Sequence, residues 1–174
     1  MRENNLSISN LHHLLDYEVQ KFNSAEVQLR NSLNEWIHTA TSVQLKNVLQ
    51  RYLDFVKEHL QKMEIFMEEE QATSISLVNK VMQALIEEAD EKISHCGDAE
   101  VKDACLLAAV QIINHYKISI YGTAAAFART LGMEKQAAVF HEAEVNEKQI
   151  DDRLSQLAEH EINIKARAPI VLPG

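Results

Sequence analysis

The chain has 174 residues, 46% apolar and 25% charged, enough for one domain with a substantial core. Four glycines and two prolines, with no proline before Pro169, leave too few turn-formers for a β-sandwich or a doubly wound sheet. Seventeen basic against twenty-six acidic residues give a net charge of −9, and no segment concentrates Lys or Arg as a phosphate-tracking surface would, so nucleic acid is not an expected partner.

The N-terminal stretch Met1–His13 lacks an apolar signal region, and no apolar run approaches the roughly 20 residues of a membrane span. The expectation is a cytoplasmic protein without a membrane partner. Cys96 and Cys105 could pair in principle, but two cysteines are no disulfide framework and read as reduced, structural thiols.

Helix one is expected from the N-cap Asn10 to about Thr39, because Leu15, Val19, Phe22, Leu29, Leu33 and Trp36 recur at steps of three and four. Helix two runs from the N-cap Ser42 to about Glu69 with Leu45, Leu49, Tyr52, Val56, Met63 and Phe66 on one stripe, ending in the solvated run Glu68–Glu70. A shorter amphipathic segment, about Ser76 to His95, is closed by Gly97 at the place of a C-cap glycine. Helix three spans Asp98 to Leu131, stops at Gly132 and is apolar nearly all round, so it should be the most buried element. Helix four covers Met133 to His160. A single all-α domain over residues 1–165 and an extended tail over 166–174, including Ala168-Pro169-Ile170-Val171-Leu172-Pro173, complete the chain.

Each long stripe is broken near its middle by a polar residue. Glu26 interrupts helix one, Lys117 helix three and Glu147 helix four, while Tyr52 and His59 lie on the stripe of helix two with Asp54 beside it. A buried charge needs a partner, so inward acids from several helices must meet through a metal, a proton or a cation. In a bundle whose second connection crosses back along its length, Glu26 lies sixteen residues from Asn10, Asp54 fifteen from Glu69, Lys117 fourteen from Leu131 and Glu147 fourteen from Met133. All four then share one level. An up-down-up-down bundle puts Lys117 nineteen residues from Asp98 on that scale, a poorer match.

A crossover bundle with mid-height acids is the ferritin-like plan, in which two helices each give a Glu and two give Glu-x-x-His to a pair of metals. The stretches Ser24–Leu29, Ala40–Lys46, His115–Thr123 and Glu142–Leu157, in order and at matching spacing, resemble the YciE/YciF-type bacterial stress proteins over about residues 11–160. The resemblance implies a ferritin-like four-helix bundle with a long helical crossover between helices two and three, frequent homodimers and a stress-associated role.

It also implies a metal site, which this chain retains only in part. Glu26 matches the acid of helix one. Helix two keeps Asp54 and His59 but has Phe55 in place of a second acid, helix three has Asn114 and Lys117 in place of two acids, and helix four keeps Glu147 and Asp151 with Asn146 where an acid is frequent. The candidate ligands are therefore Glu26, Asp54, His59, Glu147 and Asp151, too few for a carboxylate-rich iron or manganese pair. No cofactor is expected; iron or manganese is the alternative. The Lys117 ammonium can replace the metal's charge in a core ion-pair network with Glu26 and Glu147. A single metal on Glu26, His59, Glu147 and Asp151 competes with it if Lys117 turns outward.

Other signals have ordinary explanations. Glu35-Trp36-Ile37-His38 has Glu-x-x-His spacing but lies far from the shared level, and His12, His13, His141 and His160 read as solvated. Tyr116 and Tyr121 flank Lys117 as ordinary buried tyrosines, and Gly122 with Ala124–Ala126 marks a close helix approach within the bundle or across a dimer. No nucleophile triad, glycine-rich phosphate loop or zinc spacing is present. The chain thus reads as a non-catalytic stress-associated protein with a degraded metal site, against a metal-dependent oxidase, ferroxidase or peroxide-consuming enzyme as the alternative. No small-molecule substrate is indicated.

Overall fold

The structure is a computed structural model that describes residues 7–69 and 77–167. The expected start of the crossover segment at Ser76, Glu70 of the acidic run and the tail from Ala168 lie outside these residues. The described residues form helices only: α1 (Leu11–Val19), α2 (Phe22–Thr39), α3 (Val43–Glu69), α4 (Lys80–His95), α5 (Ala99–Thr130) and α6 (Glu134–Leu157). A π-helical turn (Ala158–Ile162) and the short α7 (Asn163–Lys165) follow.

Capping chemistry sets most of the starts. Asn10 accepts from His13 N–H at 2.8 Å, Ser42 Oγ from Leu45 N–H at 3.2 Å, and Asp98 from Glu100 and Val101 N–H. Gly132, at φ 70°, ends the turn after α5 in the left-handed conformation that glycine adopts without strain.

Three expectations are corrected. Helix one is two helices, α1 and α2, because the Gln20 carbonyl leaves the helical ladder and accepts Leu77 N–H at 3.1 Å where the crossover begins. Gly97 is not the C-cap of α4: Cys96 takes that place in extended backbone at φ −78° and ψ 112°, with no positive φ at Gly97. Helix four does not end at His160 but widens by a π turn and continues to Lys165.

The topology is the crossover arrangement. The Ala40–Ser42 turn makes α3 antiparallel to α2. α4 then returns alongside and parallel to α2, tied by Asn79 N–H to Ser24 Oγ at 3.0 Å at one end and by Trp36 Nε1–H to Asp90 Oδ1 at 2.8 Å at the other. α5 begins at the end of the bundle where Asp103 holds the α2–α3 turn, so α3 and α5 run the same way and α6 packs antiparallel on α5. α5 is the spine, with Leu106, Leu107, Val110, Ile113, Tyr121, Ala124, Ala125 and Ala128 buried.

The apolar core has two parts. Leu29, Leu33, Trp36, Leu45, Leu49, Val56, Leu106, Val110, Ile113, Ile150 and Leu154 fill one end, and Leu15, Phe22, Met63, Ala124, Ala128 and Phe140 fill the other. Between them lies a layer of buried polar side chains.

Candidate functional site: a lysine-centred ion-pair layer

Three of the stripe-breaking residues meet. Glu26 on α2, Lys117 on α5 and Glu147 on α6 are each 0% exposed. Lys117 Nζ lies 3.0 Å from Glu26 Oε2 and forms a second, close ion pair with Glu147 Oε1. Those three atoms have no hydrogen-bond partner besides one another. The ammonium also faces the Tyr52 ring, 4.9 Å from its centroid.

The outer oxygen of each carboxylate is held by side chains of the neighbouring helices. Glu147 Oε2 accepts Tyr52 O–H at 2.5 Å and Asn114 Nδ2–H at 2.7 Å. Glu26 Oε1 accepts the Tyr121 hydroxyl and lies 3.3 Å from His59 Nδ1. His59 Nε2 is in turn 3.3 Å from Asn146 Nδ2, so one ring nitrogen faces Glu26 and the other the Asn146 amide. His59 and Asn146 line a narrow cleft whose walls include Lys62 and Glu142, themselves paired at 2.5 Å.

The electrostatics follow from this geometry. Burial pushes the Glu26 carboxyl up, but Lys117, His59 and the Tyr121 hydroxyl together outweigh it and hold it at about 2. Burial pulls the Lys117 ammonium down, and Glu147 with Glu26 more than offsets that, leaving it above the ordinary lysine value. Tyr52 and Tyr121 are raised well above the ordinary phenol value by burial and by the carboxylates they donate to, so both stay protonated donors at neutral pH.

Not every candidate ligand joins the layer. Phe55, not Asp54, faces inward at 5% exposure and stacks on His59, while Asp54 accepts from Gln50 on the outer face. Asp151 pairs with His115 at 2.8 Å on the bundle surface. Glu35 and His38 are exposed, as are His12, His13, His141 and His160. Tyr116 is half-buried and bonds Asn79 at the crossover, away from the layer. Gly122 serves packing within the bundle, since a Cβ there would lie 3.1 Å from Glu144 Oε1 of α6.

Sequence reading missed Asn114, Asn146 and the role of Tyr52 as members of the layer, and took Tyr121 for an ordinary buried tyrosine although its hydroxyl donates to Glu26. Their signal was available: Asn114 lies one turn from Lys117, Asn146 precedes Glu147, and Tyr52 stood on the core stripe. Each is a polar group that needs a partner once buried.

Glu26, His59 and Glu147 present donor atoms within 4.8 Å of one another and could hold one metal ion. The full set does not fit a two-metal centre. Lys117 Nζ lies on oxygens of both acids, and a cation cannot share that position with a metal ion. With Asp54 and Asp151 outside the layer, one histidine and two carboxylates are the ligands gathered there.

The comparisons with known proteins agree with this architecture. The family described as Domain of unknown function (DUF892) matches residues 10–167. Protein YciF of Escherichia coli K12 is 35% identical over 144 residues, which span 82% of this chain and 87% of that protein. The crystal structure of the E. coli stress protein YciF superposes with a TM-score of 0.83 at 28% identity, covering 90% of this chain and 99% of that one. YcfI of Rhodopseudomonas palustris gives a TM-score of 0.83 at 24% identity, over 89% of this chain and 98% of its own, a likeness of fold. On the family match and the identity to YciF, the chain belongs to the YciF-type family, DUF892.

Proposed function

We propose that this protein is a non-catalytic, stress-associated helical protein whose bundle centre is held by the Lys117 ion-pair layer in place of a metal pair. The observation that carries the reading is the contact of Lys117 Nζ with oxygens of both Glu26 and Glu147. A fixed ammonium supplies the positive charge that two buried carboxylates require, and the tyrosine and asparagine donors complete their coordination. The kinship with the E. coli stress protein YciF supports the association with stress. A cytoplasmic homodimer without nucleic-acid or membrane partners completes the proposal; among the described residues no helix is long and apolar enough to cross a membrane.

One observation favours a second reading. The donor atoms of Glu26, His59 and Glu147 would suit a single iron or manganese ion if Lys117 withdrew, giving a metal-dependent oxidase, ferroxidase or peroxide-consuming enzyme. Oxygen and peroxide consumption by the purified chain with added ferrous iron or manganese separates the two. The first reading expects the rate of the buffer control. A rate above that control which is lost in Glu26→Ala would overturn it.

A further inference from the structure

On the outer face of α5, between α4 and α6, a line of apolar side chains stands open among the described residues. Val101 and Ile112 are 41% and 52% exposed, and Ala108 is exposed between them. Spaced seven and four residues apart, the three share one side of the helix. α6 bounds the line on one flank, where Gln111 donates to Ser155 Oγ at 3.3 Å and His115 pairs with Asp151. On the other flank it deepens into a groove against α4, about 110 Å³ in volume, lined by Leu85, Ala89, Cys105, Ala108, Ala109 and Ile112. One water needs about 10–15 Å³, so the groove has room for side chains. Its two charged rim residues, Glu88 and Lys92, pair with each other at 2.6 Å and leave it without net charge.

A segment of matching chemistry begins at the head of this line. The π-helical turn after α6 sits at the α5 start, because Ser42 Oγ–H donates to Glu161 Oε1 at 3.4 Å while Ser42 N–H donates to Asp103 Oδ2 at 2.8 Å. α7 then packs on α5, and the described residues end at Arg167. Residues 168–174 follow, with no charged side chain and with Ile170, Val171 and Leu172 in succession. From Val101 to Ile112 is eleven residues, about 17 Å at about 1.5 Å per residue, and seven extended residues reach about 23 Å. Pro169 and Pro173 carry no backbone N–H, so covering this segment leaves two fewer donors to be satisfied.

We propose that residues 168–174 double back along α5 of the same chain and that Ile170, Val171 and Leu172 cover the α4–α5 groove. The segment then seals the seam between the crossover helix and the spine of the bundle. Tethering at the groove's own end gives it an effective concentration on the order of millimolar, which a second copy's segment does not match at micromolar protein.

Two measurements on the full chain test this. Alkylation by iodoacetamide, followed peptide by peptide, reads the cover over Cys105, which lines the groove. Ile170→Ser combined with Val171→Ser and Leu172→Ser should raise the Cys105 rate at least several-fold, and an unchanged rate overturns the proposal. Benzoylphenylalanine introduced in place of Val171 reads where the segment lies. Illumination should give a product of single-chain mass in which position 171 is linked to residues 85–92 of α4 or 105–112 of α5. Links only to other parts of the chain, or no link, overturn the docking. Links to the groove in a product of doubled mass assign it to a second copy's segment and overturn the same-chain arrangement.

Discussion

Replacing Lys117 with methionine keeps the length and volume of the side chain and removes its charge. Glu26 and Glu147, both 0% exposed, would then face each other with no cation between them. Breaking a buried ion pair by removing one partner costs about 3–5 kcal/mol. For a chain of 174 residues, at roughly 2–4 °C per kcal/mol, the melting temperature should fall by roughly 6–20 °C. The loss should depend on pH in a definite direction. Without the ammonium, burial and mutual repulsion raise the folded-state pKa of the acids, so the variant recovers stability as pH falls toward 5 and loses it as pH rises. Replacing both acids as well, with Glu26→Gln and Glu147→Gln, removes the repulsion and should restore most of the loss. Circular dichroism melts and urea titrations of the wild type, the single and the triple variant at pH 5 and 7.5 make the comparison. A single variant melting within about 2 °C of wild type, or a triple variant no better than the single, would refute the network as a coupled unit.

Three further outcomes are expected. Glu26, held at about 2 against an ordinary value of 4.5, contributes stability that is fully present above pH 4.5 and is lost as pH falls toward 2. At about 1.4 kcal/mol per unit this amounts to about 3 kcal/mol, and the acid arm of the urea-midpoint profile should flatten in Glu26→Gln. Asp103→Ala removes an acceptor that serves Thr41 N–H at 2.8 Å, Thr41 Oγ1–H at 2.6 Å and Ser42 N–H at 2.8 Å, and should cost about 3 kcal/mol in urea titration; a cost under about 1 kcal/mol would mean the α2–α3 turn is held by packing instead. Gly132→Ala meets open space but a φ of 70°, so it should cost about 1 kcal/mol through backbone strain alone, with an unchanged denaturant slope.

The helices and their order were legible because the chain carries long three-four periodicities and well-placed caps. The shared level of Glu26, Lys117 and Glu147 was legible for the same reason: a rise of about 1.5 Å per residue converts sequence distance from a helix end into depth. Helix two was harder. Asp54 and Phe55 are adjacent on α3, and a rotation of about 100° per residue decides which one faces inward; the stripe of Leu45, Leu49, Tyr52, Val56 and His59 leaves Phe55 on its flank and sends Asp54 outward. The break between α1 and α2 had no proline or glycine to announce it. It arises from a tertiary hydrogen bond between Gln20 and Leu77, fifty-seven residues apart, which local pattern does not encode. Asn114 and Asn146 were recognised as departures from an acid-rich pattern, yet their partners depend on side-chain geometry across α5, α6 and α3.

The central claim is that an ammonium, and not a metal, neutralises the acids at the bundle centre. Elemental analysis by plasma mass spectrometry tests it most directly, on the purified chain before and after loading with iron, manganese and zinc and removal of excess. The account predicts well under one metal per chain in every sample, since Lys117 Nζ already lies on the carboxylate oxygens a metal would need. One or two metals per chain, lost on Glu26→Ala, would contradict it.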